Sequence, residues 1–386
     1  MAAPGMAGQQ ESVGGPHHEV KPSAKSSLKT QWAEMFLPRT RRRILAALAL
    51  ATGFGIGSEL NAQALPNPYR AVDGWAKLPA GRPMGAVGDL TVDPDGRHLW
   101  VIVRCTAAEP NRFGNECLDS ELDPILKFDL NGNVVQSYGG GKFIWPHGLD
   151  VDREGNVWVT DAVAPNKTPP GKRGHQVVKF SPGGKVLLTL GTPGVPGSGP
   201  KQLNSPSDVV VAANGDIFVA DSHSFDEGNN RVVKYAKDGT FIKAWGKTGY
   251  APGEFRMLHA IAIDADGRVF VADRGNNRIQ IFDQEGKFLA QWTQFGRPSG
   301  ITFDQKGQIY VTDSESDNVQ NPGWEMGIRI GDARTGWISA FILFPWGDPR
   351  EIPGNGAEFV AVDRDGNLYG GEPRPRRIQK YVRVRP

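Results

Sequence analysis

Six copies of one phrase predict an all-β chain folded as a six-bladed β-propeller: an alternating apolar strand, a turn of Asp/Asn-Gly type, and a second strand that usually ends in an acid. The clearest copies are Gly148 to Asp161 and Ala260 to Asp273; Asp208 to Asp221, Gly300 to Asp313, Asp89 to Val103 and Phe359 to Glu372 complete the set. Each copy is followed by two more strands of period two around an Asp-Gly or Glu-Gly hairpin, as in Arg231 to Trp245 and Arg278 to Trp292, so a unit has four antiparallel strands. The ends of the chain fit a closed ring. The last unit stops after its third strand, Arg377 to Val384, and Asp73 to Leu78 reads as a stray fourth strand that would pair into it and hide a sheet edge.

Ahead of the ring lies a leader. Arg39, Arg41, Arg42 and Arg43 precede an apolar run of 14 residues, Ile44 to Gly57, and Ala62-Gln-Ala64 supplies small residues for cleavage after Ala64. That order is a secretory signal, and the run is shorter than the ~20 residues of a spanning helix, so no stable membrane span is expected after cleavage. Residues 1–34 lack a hydrophobic period, which fits either a true start at Met35 or a disordered extension. The expected division is therefore residues 1–64 as extension and signal, 65–386 as the propeller, with a secreted or periplasmic destination. In such a compartment Cys105 and Cys117 could pair across one loop.

Composition narrows the function. The chain has 44 Lys+Arg against 42 Asp+Glu; residues 1–64 hold 7 basic and 4 acidic residues, leaving 37 and 38 for the propeller. Without a basic excess no nucleic-acid partner is expected. No phosphate-binding Gly loop, Gly-x-Ser-x-Gly nucleophile or paired-cysteine zinc spacing is present. The 49 Gly and 29 Pro suit about two dozen strands and their turns.

Chemistry in a repeat protein is expected where copies disagree. The residue opening the innermost strand, eight before the turn glycine, is Gly88, His147, Ser207, His259, Ser299 and Glu358 in blades 1 to 6. Alternate blades thus present His147, His259 and Glu358 around the channel axis, a set adequate for zinc with an open position. Manganese, iron and calcium stay open. Glu315 and Asp317 form a second acidic pair that could hold a structural calcium. His175 is expected to pack in a loop. Trp145, Trp324, Trp337 and Trp346 are expected either to line the channel mouth or to pack the sheets.

Asp273-Arg-Gly-Asn-Asn-Arg278, with Asp221 and Asn230-Arg231, resembles the NHL repeat, and the resemblance spans essentially all of 72–386. Repetition from blade to blade marks those acids and arginines as structural. Trp145-Pro-His147-Gly-Leu-Asp-Val-Asp and Leu258-His259-Ala-Ile-Ala-Ile-Asp, with the Val-Ala-Asp-Arg-Gly-Asn-Asn-Arg-Ile-Gln280 stretch, resemble the peptidyl-alpha-hydroxyglycine alpha-amidating lyases. The resemblance implies an enzyme that takes a small-molecule or peptide substrate in the channel, binds zinc and cleaves a peptidyl-alpha-hydroxyglycine to an amide and glyoxylate; a monomer is expected. It implies that His147 and His259 are metal ligands and that Arg104 holds a carboxylate or an oxyanion. Two positions depart from the family: its third histidine falls on Glu358, followed by Phe359 in place of an aspartate, and its catalytic tyrosine falls near Ser222-His223, where His223 could serve as base. A non-catalytic binding propeller and a metal-dependent hydrolase or lactonase are the alternatives.

Overall fold

The computed structural model describes residues 64–105, 114–168, 173–345 and 356–384. They belong to a compact unit spanning Ala62–Pro386. The leader through Gln63 and Trp346 lie outside the described residues. Among the described residues no helix is long and apolar enough to cross a membrane.

Six four-stranded antiparallel sheets form the expected propeller. The innermost strands are Val87–Val92, Pro146–Val151, Asp208–Val211, Leu258–Ile263, Pro298–Phe303 and Phe359–Val362. Second strands such as Val157–Asp161 and Val269–Asp273 are buried on both faces, whereas fourth strands such as Val186–Gly191 are half exposed. That gradient explains the apolar second strands and the alternating outer ones. Between blades, Trp100, Trp158 and Phe270 fill the space from one sheet to the next.

The repeated acids act as structural pins. Asp161, at the end of its strand, accepts from the amides of Ile144 (2.9 Å) and Trp145 (2.8 Å), and Asp273 does the same for Arg256 (2.8 Å) while pairing with Arg278 at 2.8 Å. The chain is thereby held just before it enters the innermost strands of these blades. The first hairpin is set by another acid: Asp152 Oδ1 accepts from the amides of Glu154 and Asn156, the local turn chemistry that makes Asp favourable there.

Closure occurs a few residues earlier than expected. Tyr69–Val72, and not Asp73 to Leu78, pairs antiparallel with Arg377–Arg383 as the fourth strand of blade 6. Asp73-Gly74 is a turn with Gly74 at φ 65°. Trp75 leaves the sheet and packs between blades 6 and 1 against Tyr369 and Phe128, its indole donating to Leu130 O at 3.0 Å. A tryptophan this large is better buried between sheets than on an exposed edge strand.

Around the channel, carboxylates tie the innermost strands of blades 1 to 4 in succession. Asp89 Oδ2 accepts from Leu149 N (2.9 Å), Asp150 Oδ2 from Val211 N (2.8 Å) and Asp208 Oδ2 from Ile261 N (2.8 Å). Burial raises the pKa of Asp89 to about 8 and that of Asp150 to about 6, and burial with the repulsion of Asp89 raises Asp208 well above its ordinary value.

Two outcomes follow. A chain lacking residues 1–72 should lose on the order of 3 kcal/mol in denaturant unfolding, the scale of one large buried side chain such as Tyr69, and should associate through the bared strand edge; an unchanged midpoint and a monomeric elution volume would count against the closure. A raised folded-state pKa means that Asp89 favours the fold below its unfolded value and loses that contribution as pH rises toward its folded one. The stability of Asp89→Asn relative to wild type should therefore climb between about pH 4 and pH 8, by at most ~1.4 kcal/mol per pH unit. A difference independent of pH would contradict this.

Candidate metal centre

His147 and His259 open the innermost strands of blades 2 and 4, and both are fully buried. His147 Nδ1 lies 2.7 Å from Ser207 O and His259 Nδ1 lies 3.0 Å from Ser299 O. A carbonyl only accepts, so each Nδ1 carries the proton and each Nε2 presents its lone pair. Ser207 and Ser299 are the small residues of blades 3 and 5, so the alternation of large and small residues has a physical basis: each histidine takes the main-chain carbonyl of the blade beside it. Gly148 permits the approach, since a Cβ there would clash with Asp208 Oδ1 and meet Ser207 O at 2.6 Å.

His223 joins them from blade 3. It stands two residues beyond Asp221, which ends the strand Ile217–Asp221, in a loop tied down by Asn230 Nδ2 donating to Phe225 O at 2.9 Å. The rings of His147 and His223 are 4.5 Å apart, those of His147 and His259 4.9 Å, and those of His223 and His259 5.2 Å. One ligand atom from each lies within 4.8 Å of the other two, the one such group of three among the described residues. All three Nε2 atoms are buried without a hydrogen-bond partner. A buried nitrogen lone pair with no donor is costly, and three converging ones fit a divalent metal.

Electrostatics keeps the histidines neutral. Burial is the largest cause of depressed pKa values well below the ordinary one in all three; His223 and Arg104 add to it at His147, and Arg274 adds to it at His223 and His259. Neutral imidazole is the form that binds metal.

The remaining expected residues surround this group. Arg104 is buried, its Nε donating to Pro146 O at 3.0 Å and its guanidinium stacked 4.7 Å over the ring centroid of Trp145. Its two terminal nitrogens have no hydrogen-bond partner, with Glu116 Oε1 3.9 Å away. The Cys105–Cys117 disulfide forms and anchors the chain next to Arg104. Glu358 immediately precedes the innermost strand of blade 6, its Oε2 3.9 Å from His259 Nε2 and its Oε1 3.9 Å from Arg274 Nη1, and burial raises its pKa. Phe359 lies under His147 and His259 at ring distances of 5.3 and 5.1 Å and forms the floor of the histidine group.

Other candidates turn elsewhere. His175 is a buried structural residue, its Nε2 2.6 Å from Thr168 Oγ1 and its Nδ1 accepting from Ser205 N. Glu315 faces Arg274 and Arg297 at 3.5 Å each, whereas Asp317 accepts from Val319 N and Gln320 N. Trp145 packs against His147 and His223. Trp337, 75% exposed, sits at a third-to-fourth-strand turn and does not line the channel mouth, and Trp324 lies against Arg329.

Sequence reasoning passed over Arg274. Its neighbour Arg278 serves the repeat, but Arg274 is buried beside the histidines with Nε and Nη1 lacking hydrogen-bond partners. A signal was available: the residue after the second strand is Arg104, Ala162, Ser222, Arg274, Ser314 and Pro373 in blades 1 to 6, so only Arg104 and Arg274 carry an arginine there.

An NHL repeat model matches residues 203–235, 255–282 and 295–320. The chain is 31% identical to peptidyl-glycine alpha-amidating monooxygenase B of Xenopus laevis, over 77% of this chain and 34% of that protein. It is 32% identical to peptidyl-alpha-hydroxyglycine alpha-amidating lyase 1 of Drosophila melanogaster, over 65% of this chain and 47% of that one. The chain thus spans between a third and a half of these relatives' length. A solved streptogramin B lyase shares the fold, with a TM-score of 0.51 and 17% identity over 81% of this chain and 97% of that one.

Phe359→Ala should cost about 3–5 kcal/mol in chemical denaturation, because the cavity would lie between rigid innermost strands. A loss below about 1 kcal/mol would show that the floor of the site is not packed as described.

Proposed function

We propose that this NHL-repeat six-bladed propeller, similar in sequence to the peptidyl-alpha-hydroxyglycine alpha-amidating lyases, is an exported, metal-dependent lyase cleaving the C–N bond of an alpha-hydroxyglycine-type group to give an amide and glyoxylate. The observation that carries the reading is the convergence of three buried, unpartnered imidazole Nε2 atoms beside a buried arginine. His147, His223 and His259 would hold the metal, most naturally zinc. Bound there, a metal would supply Lewis-acid polarisation of a substrate oxygen.

The chain's own groups do the rest. The carbonyls of Ser207 and Ser299 fix the tautomer and direction of two ligands. Arg104 offers two terminal nitrogens to a substrate carboxylate in a water-poor site, where a charge-assisted pair is strong. Trp145 holds the guanidinium plane in place. The convergence of His223 with the other histidines supports a ligand role for it in place of a role as base. The signal-like leader and the Cys105–Cys117 disulfide support export to an oxidising compartment.

Purified protein should carry one divalent metal per chain and release glyoxylate from an alpha-hydroxyglycine peptide. His147→Ala, His223→Ala and His259→Ala should each abolish stoichiometric metal, and Arg104→Ala should lower kcat/KM about a hundredfold with metal retained. Absence of metal from the wild type would remove the enzyme reading and favour a binding propeller. Metal without glyoxylate release would point to another reaction, such as hydrolysis of a lactone.

A further inference from the structure

We propose that Glu358 is a fourth protein ligand, making a three-histidine, one-carboxylate centre that holds a first-row divalent metal in five or six coordination. The inference rests on the three-histidine reading above and adds the donor that sets the class of metal.

Glu358 occupies the same register in blade 6 as His147 and His259 do in blades 2 and 4, so it opens onto the same end of the channel. Its main chain is pinned on both sides: Glu358 N donates to Gly371 O at 2.9 Å and Glu358 O accepts from Thr312 Oγ1 at 2.7 Å. Only the side chain can adjust. The carboxylate is buried and meets His259 Nε2 and Arg274 Nη1, each at 3.9 Å, beyond hydrogen-bond distance.

The positive charge nearest to it is divided. Arg274 also faces Glu315 at 3.5 Å, nearer than Glu358, so it is shared between two carboxylates. Arg104 and Arg374 also act on the carboxylate through space, but among the described residues no donor hydrogen-bonds it, and a buried carboxylate without a close donor is costly. Two atoms bound to one metal at ~2.1 Å each lie ~3 to ~4.2 Å apart depending on the angle between them, and the 3.9 Å between Glu358 Oε2 and His259 Nε2 falls within that span; the carboxylate lies outside the 4.8 Å grouping of the three histidines, so its side chain must turn toward them to complete the set. Three imidazoles alone suit tetrahedral zinc. An added carboxylate shifts the set toward manganese, iron, cobalt or nickel.

Cobalt(II) provides the test, because its visible spectrum reports coordination number without any assay of activity. Wild-type protein loaded with cobalt(II) should show the weak bands of five or six coordination. Glu358→Gln should weaken cobalt(II) binding by about a hundredfold in competition with a chelator and should change the spectrum. A loss of affinity with a superimposable spectrum would make Glu358 an outer partner and overturn the proposal, as would affinity within about threefold of wild type. If Glu358→Gln does not fold, as judged by metal-free melting, Glu358→His replaces it: a ligand is retained, so cobalt(II) should bind with an altered spectrum, and an unaltered one overturns the proposal. Failure of the wild type to bind either cobalt(II) or zinc would instead remove the three-histidine reading, a result distinct from the others.

Discussion

Main-chain groups at the channel have no strand beyond them, so their hydrogen bonds must come from side chains of the neighbouring blade. That requirement governs much of this molecule. Asp89, Asp150 and Asp208 each serve the next blade's amides, and Thr312 serves the Glu358 carbonyl. His147 and His259 meet the same requirement from the other side, donating Nδ1–H to the carbonyls of Ser207 and Ser299. The contacts that join blade to blade are therefore the contacts that set the histidine tautomers.

Packing and electrostatics reinforce this arrangement. Phe359 below the rings and Trp145 beside them keep the site dry, and the same dryness drives the imidazoles toward neutrality. Arg104, Arg274 and Arg297 face Glu116, Glu315 and Glu358 at distances from 3.5 to 3.9 Å. These are loose ion pairs. They hold charge near the histidines without occupying every donor, and a substrate or cation can engage what is left.

Much of the ring was legible because each blade repeats one local code. Alternation places Val157 to Asp161 and its counterparts in strands, Asp and Gly set the hairpins, and the acid closing the second strand pins the segment that enters the innermost strand of its own blade. The closing strand was read a few residues late because the Asp73 to Leu78 stretch also alternates, while Trp75 is recruited into the gap between two blades. Comparing one register position across blades singled out His147, His259 and Glu358. It could not reach His223 or Arg274 as members of the same group, because both project from loops beyond the second strands, where spacing in the chain says little about position in space.

The sequence by itself determined the periodic features: six blades, four strands in each, the acid and glycine positions of the turns, and a pair of histidines at one level of the channel. Each of these depends on neighbours close in the chain or on a register that repeats. Tertiary structure alone decided which groups meet. Residues 147, 223 and 259 come within 4.8 Å although they are dozens of positions apart. Their meeting depends on how blades pack around the axis and on the course of loops anchored by Asn230 and Asp273. The physical reason is the range of the forces involved: turn and strand preferences act over a few residues, whereas convergence of side chains is set by closure of the whole ring.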